Sequence, residues 1–338
     1  MTDSYWSGKR AVVTGGAGMV GHQLVRLLLE AGASVTVIDN LSRGRNIVDG
    51  AGLEKTDADD LYDCVAIMGE SPYSSVTYPA ADAVFNLAAE VAGVQFNQSN
   101  NAWMFDRNLR VLSTPLEAAN KAGVGCFVQV SSVCVYSPEH NHPCREENGH
   151  LGEPSAANAG YAWAKRMGER LAMWYAAETD MRVVIVRPSN IFGPKDYYDE
   201  RAHVIPAMIR KCVYDDVIEV NGTGLEEREF IWSGDVAGGM MLAAQHGRSG
   251  EAYNLGTDGN TIVTMSDLLL QIQIYVSDLL CRSVKPVCWK SLFDGGDDVR
   301  FSDCTKARSE LGFFVNPTTY AHLEDVIKEY LTEEGLLS

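Results

Sequence analysis

The feature that most constrains the fold is a glycine-rich segment, TGGAGMVG, which joins an apolar strand pattern to a helical one. RAVVTG (10–15) predicts a short buried strand, and GMVGHQLVRLLLEAG (18–32) has the apolar spacing of a helix. Gly15, Gly18 and Gly21 follow the spacing GxxGxxG, which permits a tight turn and close approach of a pyrophosphate to the helix N-terminus. Strand, glycine loop and helix together predict a dinucleotide-binding unit.

The pattern of apolar segments predicts an α/β fold. Short apolar runs at 34–39, 83–89, 125–132 and 181–190 read as further strands, and the amphipathic segment 159–178 reads as a long helix. Because nearly continuous apolar strands alternate with helices, the expected architecture is a doubly wound parallel sheet that is covered on both faces.

After about residue 190 the segments shorten and glycine-rich turns such as NGTGLEE appear. We therefore expect a dinucleotide-binding domain over 1–188 and a smaller second domain over 189–338. The apolar segment near 229–250 is expected to return to the first domain.

Composition limits the classes of partner. The chain has 338 residues, a formal net charge of −17 and 46% hydrophobic residues. An acidic chain gains little by neutralising phosphates, so neither nucleic acid nor an anionic membrane is the expected partner. Because the eight cysteines are scattered, no apolar run approaches 18 residues and no signal-peptide pattern is present, we expect a cytoplasmic protein with reduced thiols.

The second strand pattern ends in Asp39, which suggests the type of dinucleotide. An acidic residue about 20 positions after the glycine loop binds a ribose 2′-hydroxyl and repels a 2′-phosphate. Asp39 thus favours NAD over NADP, although Arg43 and Arg45 lie close enough in sequence to weaken that preference. We expect the cofactor to contact Gly15, Gly18, Met19, Val20, Gly21, Asp39, Asn40, Asp60, Leu61, Leu87, Ala88, Ala89, Asn108, Tyr161, Lys165 and Pro188.

The segment YAWAK predicts an acid–base group. Tyr161 and Lys165 are four residues apart, on one face of the predicted helix. A nearby ammonium lowers the pKa of a phenol, and lysine can also bind the nicotinamide ribose. Ser132, at the end of a predicted strand, can share the hydrogen bond to a reacting hydroxyl or carbonyl. YxxxK alone usually marks an exposed helix face, but after GxxGxxG and SSVCVY it indicates a catalytic site.

In this order, TGGAGMVG, NLAA, SSVCVY, YAWAK, RPSNIFGP and GTGLEEREF resemble the extended short-chain dehydrogenase/reductase family that acts on nucleotide sugars. The resemblance covers nearly the whole chain. It implies a Rossmann domain, a C-terminal nucleotide-sugar-binding domain over 189–338, NAD as cofactor, and hydride transfer with Tyr161 as acid–base. It also implies a homodimer formed by a four-helix bundle that includes the helix of Tyr161.

Cys134 distinguishes among reactions within that resemblance. The dehydratases of the family carry an acidic pair just after the catalytic serine or threonine, whereas Val133 and Cys134 stand here. A cysteine at this place is similar to GDP-mannose 3,5-epimerases and GDP-L-fucose synthases, in which it exchanges a proton beside a keto group. His203, in AHVIPA, matches the second proton-transfer group of the synthases. In general, a cysteine near a strand end is a small buried hydrophobe.

The resemblance also implies the substrate-binding residues. Arg228 and Arg300 match arginines that bind the diphosphate or sugar, and Asn190 matches an asparagine at a substrate phosphate. Glu90 is expected to face the sugar, GDP is favoured only by the resemblance, and no metal site is expected.

Four functions remain open from the sequence. The first is an NAD-dependent epimerase that oxidises C4 transiently and exchanges protons at C3 and/or C5. The second is a 4-keto reductase that consumes NADPH, the third a simple 4-epimerase with Cys134 inert, and the fourth a dinucleotide sensor without activity. Asp39 favours the first, and the presence of both Tyr161 and Lys165 argues against the fourth.

Overall fold

The computed structural model describes residues 5–41, 52–55, 81–139, 142–290, 299–315 and 319–337. Its strands are β1 (Arg10–Thr14), β2 (Ser34–Asp39), β3 (Gly52–Lys55), β4 (Ala83–Asn86), β5 (Cys126–Val130), β6 (Arg182–Pro188), β7 (Asn190–Phe192), β8 (Ile218–Asn221), β9 (Glu227–Trp232), β10 (Ala252–Leu255), β11 (Ile262–Thr264), β12 (Val287–Lys290) and β13 (Val299–Arg300). Its α-helices are α1 (Met19–Glu30), α2 (Val94–Ser99), α3 (Asn101–Lys121), α4 (Ala159–Glu178), α5 (Val204–Tyr214), α6 (Ser233–His246), α7 (Met265–Leu280), α8 (Thr305–Leu311) and α9 (Thr319–Glu333).

A seven-stranded parallel sheet forms the centre of the molecule, in the order β10-β6-β5-β4-β1-β2-β3. This arrangement confirms the doubly wound Rossmann-type fold that the sequence predicts. The strand order reverses between β1 and β4, where the carboxyl ends of the strands open a crevice that binds ligands in folds of this kind.

Both faces of the sheet are covered by helices. On one face, Leu24 and Leu28 of α1 share a buried cluster with Met240 of α6 and Phe85 of β4. On the other, Leu116 of α3 packs with strand residues and with α4 in a second cluster. The apolar character of the strands follows from this burial on both sides.

After β9 the chain contributes a helix and a strand to the main sheet. Helix α6 packs against α1, and β10 adds a parallel strand beside β6. Burial of Val236 and Met240 between these elements explains the apolar pattern near 229–250.

The smaller sheets lie in the C-terminal half. Strand β9 pairs with β7 and β13 in parallel and with β11 antiparallel, while β8 and β12 form a separate parallel pair. Helices α5, α7 and α9 bury a third apolar cluster, which includes Ile209, Ile272 and Ile327. The division of the chain near residue 188 into two domains stays a prediction. None of the helices within the described ranges combines the length and apolarity needed to cross a bilayer.

Candidate active site

A cleft of about 870 Å³ lies at the carboxyl ends of the central strands, between the main sheet and the C-terminal elements. It brings together residues that are far apart in sequence, and its walls include most of the predicted site residues. These are Gly15, Gly18, Met19, Val20, Gly21, Asp39, Asn40, Leu87, Ala88, Ala89, Glu90, Ser132, Cys134, Tyr161, Lys165, Pro188, Asn190, His203, Arg228 and Arg300. Asp60 and Leu61, expected near the adenine, lie outside the described residues.

The glycine loop fits a dinucleotide closely. Gly15 has a φ of +69°, in the left-handed region, and a β-carbon there would lie 3.0 Å from the backbone nitrogen of Ala88. A β-carbon on Gly21 would lie 2.2 Å from the carbonyl oxygen of Gly15, so a glycine is needed where α1 crosses the loop. Within the described part of the chain, no side chain caps the N-terminus of α1, which leaves its first amides available to a pyrophosphate.

The side chain of Asp39 binds the backbone of this loop. Its carboxylate accepts hydrogen bonds from the backbone amides of Ala17 at 3.0 Å and of Leu41 at 2.8 Å. Burial raises the pKa of Asp39, and the two amide hydrogen bonds oppose that change. The carboxylate lines the cleft at the end of β2, the position at which the ribose of a dinucleotide lies in this fold.

The strand predicted over 83–89 is shorter in the structure, where it is β4. The residues that follow it line the cleft beside the glycine loop. β4 ends at Asn86, and Leu87 to Ala89 leave the sheet to pass beside Gly15. The Thr14 hydroxyl donates to Asn86 at 2.6 Å and accepts from the Ala88 amide at 3.2 Å, which ties β1 to this segment.

Asn108 does not line the cleft, which differs from its predicted contact with the cofactor. Its side chain is fully buried in α3 and bonds both backbone groups of Glu90 at 3.0 Å. The Asn108 amide also donates to the Met104 carbonyl at 2.9 Å. All of the amide's hydrogen bonds go to the backbone, so we expect Asn108 to position the segment before α2 rather than to touch the dinucleotide.

Ser132 and Cys134 are presented by a short turn after β5. The Ser132 hydroxyl accepts a hydrogen bond from the Cys134 amide at 3.1 Å and caps the 3₁₀ turn Val133–Val135. The thiol of Cys134 points to Arg300, whose Nη1 lies 3.7 Å from Sγ. Cys134 is therefore half-buried at the cleft wall rather than packed in the core, unlike most cysteines near strand ends.

Tyr161 and Lys165 lie one turn apart on α4, and the ammonium nitrogen is 5.4 Å from the centre of the phenol ring. The sequence predicts a lowered phenol pKa, but burial raises the pKa of Tyr161, with a further increase from Cys134 and a partial reversal by a hydrogen bond with Ser132. Burial also lowers the pKa of Lys165 to about 8, and its Nζ donates to the Val130 carbonyl at 2.9 Å. Burial is thus the largest cause of the raised phenol pKa, and the hydrogen bond with Ser132 opposes it.

A buried ion pair supports α4 directly behind these residues. Glu169 lies one further turn along the helix and accepts two hydrogen bonds from Arg187 of β6, at 2.7 and 2.8 Å. His150 Nε2 lies 2.8 Å from the same carboxylate. Neither Glu169 nor Arg187 was predicted from the sequence, because a charged pair across a helix and a strand has no local signature.

Three predicted substrate-binding residues from the C-terminal half, Asn190, Arg228 and Arg300, line the same cleft. Arg228 of β9 and Arg300 of β13 are register partners on neighbouring parallel strands, and both line the cleft. The side-chain amide of Asn190 donates to the Glu229 carbonyl at 2.8 Å. The two strands thus bring two arginines to one cleft, and guanidinium groups are well suited to bind phosphate oxygens.

His203 immediately precedes α5 and lines the cleft. Asp196, which sequence reasoning missed, also lines it, and its Oδ2 lies 3.5 Å from His203 Nδ1. The Gly193–Pro194 turn after β7 could have indicated that Asp196 sits on a sharply bent loop.

Comparisons with known proteins agree with this arrangement. A dTDP-4-dehydro-6-deoxy-D-allose reductase of a Streptomyces species is 29% identical over 275 residues, which cover 80% of this chain and 83% of that protein. A GDP-L-fucose synthase of Sinorhizobium fredii is 27% identical over 286 residues, covering 82% and 84%. The solved structure of MoeE5 in complex with UDP-glucose and NAD matches 96% of this chain and 99% of that one, with a TM-score of 0.76 and 25% identity.

The family assignment rests on a match to a family model that covers more than half of the chain. Residues 11–256 match the NAD dependent epimerase/dehydratase family, from β1 through the last strand of the main sheet. This range contains the glycine loop, Tyr161 and Lys165, which agrees with the resemblance drawn from the motifs and with NAD as the cofactor. The chain belongs to the NAD dependent epimerase/dehydratase family.

Proposed function

We propose that the protein is an NAD-dependent nucleotide-sugar epimerase that works by transient oxidation at C4, proton exchange at C3 and/or C5, and re-reduction. The observation that carries the proposal is that Cys134 and His203 line the same cleft as Ser132, Tyr161 and Lys165. A thiol and an imidazole beside a Tyr–Lys pair supply proton-transfer groups that hydride transfer at C4 alone does not require.

The proposed chemistry divides among these side chains. NAD held by the glycine loop and Asp39 would supply the hydride acceptor for C4 and the donor for its re-reduction. Tyr161 takes the proton of the C4 hydroxyl, and Ser132 shares the hydrogen bond to the resulting carbonyl oxygen. The hydrogens on the neighbouring carbons are then acidic, because the carbanion is an enolate. Cys134 removes or donates the proton on one face of the ring, and His203 does so on the other.

The nucleotide part of the substrate is proposed to bind those cleft residues that come from the C-terminal half of the chain. Arg228 and Arg300 would neutralise the diphosphate, with Asn190 at a phosphate oxygen and Glu90 toward the sugar. In this proposal, residues 1–188 with the return segment near 229–250 hold the cofactor, and residues 189–338 hold the nucleotide sugar. GDP is the proposed nucleotide, supported by similarity to the GDP-L-fucose synthase of Sinorhizobium fredii.

A second candidate is a 4-keto nucleotide-sugar reductase or epimerase-reductase. It is favoured by the similarity to a dTDP-4-dehydro-6-deoxy-D-allose reductase and to a GDP-L-fucose synthase. Asp39 favours the epimerase instead, because a carboxylate at the ribose repels the 2′-phosphate of NADPH. A simple 4-epimerase would leave Cys134 and His203 without a role.

The test is incubation with GDP-, UDP- and dTDP-sugars in deuterated water, followed by NMR of the products. An epimerase gives an isomer with deuterium at C3 or C5 and no net change in dinucleotide. A reductase consumes NADPH stoichiometrically with a 4-keto substrate. Deuterium-free epimerisation at C4 would exclude the proposed role of the thiol.

Cys134→Ser isolates that role. Deuterium incorporation should fall by more than about tenfold, while hydride exchange at C4 should fall less, because Tyr161 still handles the hydroxyl proton. Cys288→Ser, which replaces an exposed thiol on β12, is the matched control and should leave both rates unchanged. Equal loss of both rates in the Cys134 variant would indicate a merely structural cysteine.

We also propose a cytoplasmic homodimer built on α3 and α4, as the family resemblance implies. These helices pack on each other and leave large apolar side chains exposed, including Trp103 at 37% and Trp174 at 54%. Sedimentation of the wild type against Trp174→Glu tests the assembly, and a monomeric wild type would exclude it.

A further inference from the structure

The imidazole of His203 faces a single buried carboxylate. Nδ1 of His203 lies 3.5 Å from Oδ2 of Asp196, whose side chain is 2% exposed. Both atoms are buried, and among the described residues neither has a hydrogen-bonding partner beyond this pairing. Catalytic hydrogen bonds are often long before a substrate binds, and this distance is within reach of closure.

The loop that carries Asp196 is held in place from outside the cleft. Lys195 adopts a left-handed conformation with a φ of +64°, which is unfavourable for a side chain with a β-carbon. Its backbone amide donates to Glu329 at 3.1 Å, and its ammonium pairs with Glu329 and Glu333 at 2.8 and 2.7 Å. The second oxygen of Asp196 accepts from the Tyr197 amide at 2.8 Å. The anchored Lys195 thus fixes the backbone before Asp196, and the Tyr197 amide holds its Oδ1. The other oxygen, Oδ2, is the one that faces His203.

A carboxylate at Nδ1 determines the state of the other nitrogen. An ionised carboxylate only accepts hydrogen bonds, so it selects the neutral imidazole that carries its proton on Nδ1. Because Nδ1 is buried while the side chain is 37% exposed, the opposite edge of the ring, with Nε2, is left to the cleft. Nε2 then holds a free electron pair and can accept a proton from a sugar carbon or return one.

We propose that Asp196 is the positioning residue of His203: it holds the ring in the Nδ1–H form with Nε2 toward the sugar. The proposal rests on the proposed function, in which His203 exchanges a proton beside the C4 ketone. Asp196 itself transfers no proton and touches no reacting atom.

The first test reads the ring directly and does not depend on turnover. The protein as purified is labelled with [¹⁵N]histidine, and the His203 signals are assigned by their absence in His203→Gln. The wild type should show the Nδ1–H form at a pH where the ring is neutral, and Asp196→Ala should shift it toward Nε2–H. Asp106→Asn, which alters an exposed carboxylate paired with Arg110 on α3, is the control and should change nothing. A wild type already in the Nε2–H form, or an Asp196→Ala variant that keeps the form of the wild type, overturns the proposal.

The second test follows the chemistry in deuterated water with the sugar that turns over. Asp196→Asn keeps the size of the side chain, and it should lower deuterium incorporation about 100-fold with a smaller change in KM. A loss no greater than that of Asp106→Asn overturns the positioning role. If the wild type shows the Nδ1–H form but no product contains deuterium, the pairing of Asp196 with His203 is supported. The proposed function is then overturned instead.

Discussion

Replacing Glu169 by glutamine should destabilise the protein strongly and disturb α4, the helix that also carries Tyr161 and Lys165. The carboxylate is fully buried, receives two hydrogen bonds from Arg187 and contacts His150. The substitution keeps the size of the side chain and removes the charge. Arg187, only 1% exposed, then loses its anion in the interior.

Two arguments give the same magnitude. Removing one partner of a buried ion pair costs about 3–5 kcal/mol, because the other charge stays buried without compensation. Burial alone would raise the pKa of Glu169, but Arg187 and the hydrogen bond from His150 lower it from 4.5 to about 2. At about 1.4 kcal/mol for each tenfold change in proton affinity, that difference corresponds to about 3 kcal/mol.

The assay is urea unfolding of Glu169→Gln against wild type at pH 7 and again in acid. The unfolded carboxylate binds its proton near pH 4.5 and the folded one only near pH 2, so the contribution is present above 4.5 and is lost between 4.5 and 2. The wild type should lose this stability in that window, and the variant should not. Glu117→Gln breaks an exposed pair with Lys121 and should cost less than about 0.5 kcal/mol. A loss in Glu169→Gln as small as in this control would refute the reasoning.

Three further predictions concern the site itself. Tyr161→Phe should lower turnover by at least 100-fold, the effect of losing an acid–base group, while bound NAD measured after denaturation stays stoichiometric; undiminished turnover would contradict the role. Gly21→Ala should weaken NAD binding and lower the free energy of unfolding by about 1–3 kcal/mol, because the added β-carbon meets the Gly15 carbonyl. Gly238→Ala, which has open space around it, is the control and should not destabilise the protein. Equal unfolding midpoints of the two variants would contradict this. Because burial lowers the pKa of Lys165 to about 8, the unfolded lysine binds more protons between pH 8 and 10.5, so the contribution of Lys165 to the stability of the NAD-free protein should rise across that window. The free energy of unfolding of the wild type relative to Lys165→Met should therefore increase from pH 8 to 10.5, and a constant difference would contradict this.

The sequence predicted those parts of the site whose cause is local. The strands can be recognised as apolar runs because a parallel sheet is buried on both faces. The loop around Gly15 can be recognised because its geometry leaves no room for a β-carbon. Tyr161 and Lys165 follow from helical spacing. Each of these patterns lies within a few neighbouring residues.

Residues whose role depends on distant contacts could not be predicted correctly. Asn108 looks the same in sequence whether its amide meets a ligand or, as here, the backbone of Glu90. Arg187 reads as part of a strand, and nothing near it indicates its partner on α4. The sequence predicts a lowered pKa for Tyr161, but burial, which depends on packing from many segments, raises it.

The anchoring of Lys195 to α9 has a consequence for biosynthesis. Its carboxylate partners lie 134 and 138 residues further along the chain. At roughly 5–20 residues per second, a ribosome needs on the order of ten seconds to synthesise that interval. Strands β1 to β6 emerge first, and the loop that carries Asp196 receives its anchor only after α9 has been translated. The glycine loop around Gly15 can therefore form before this side of the cleft is fixed.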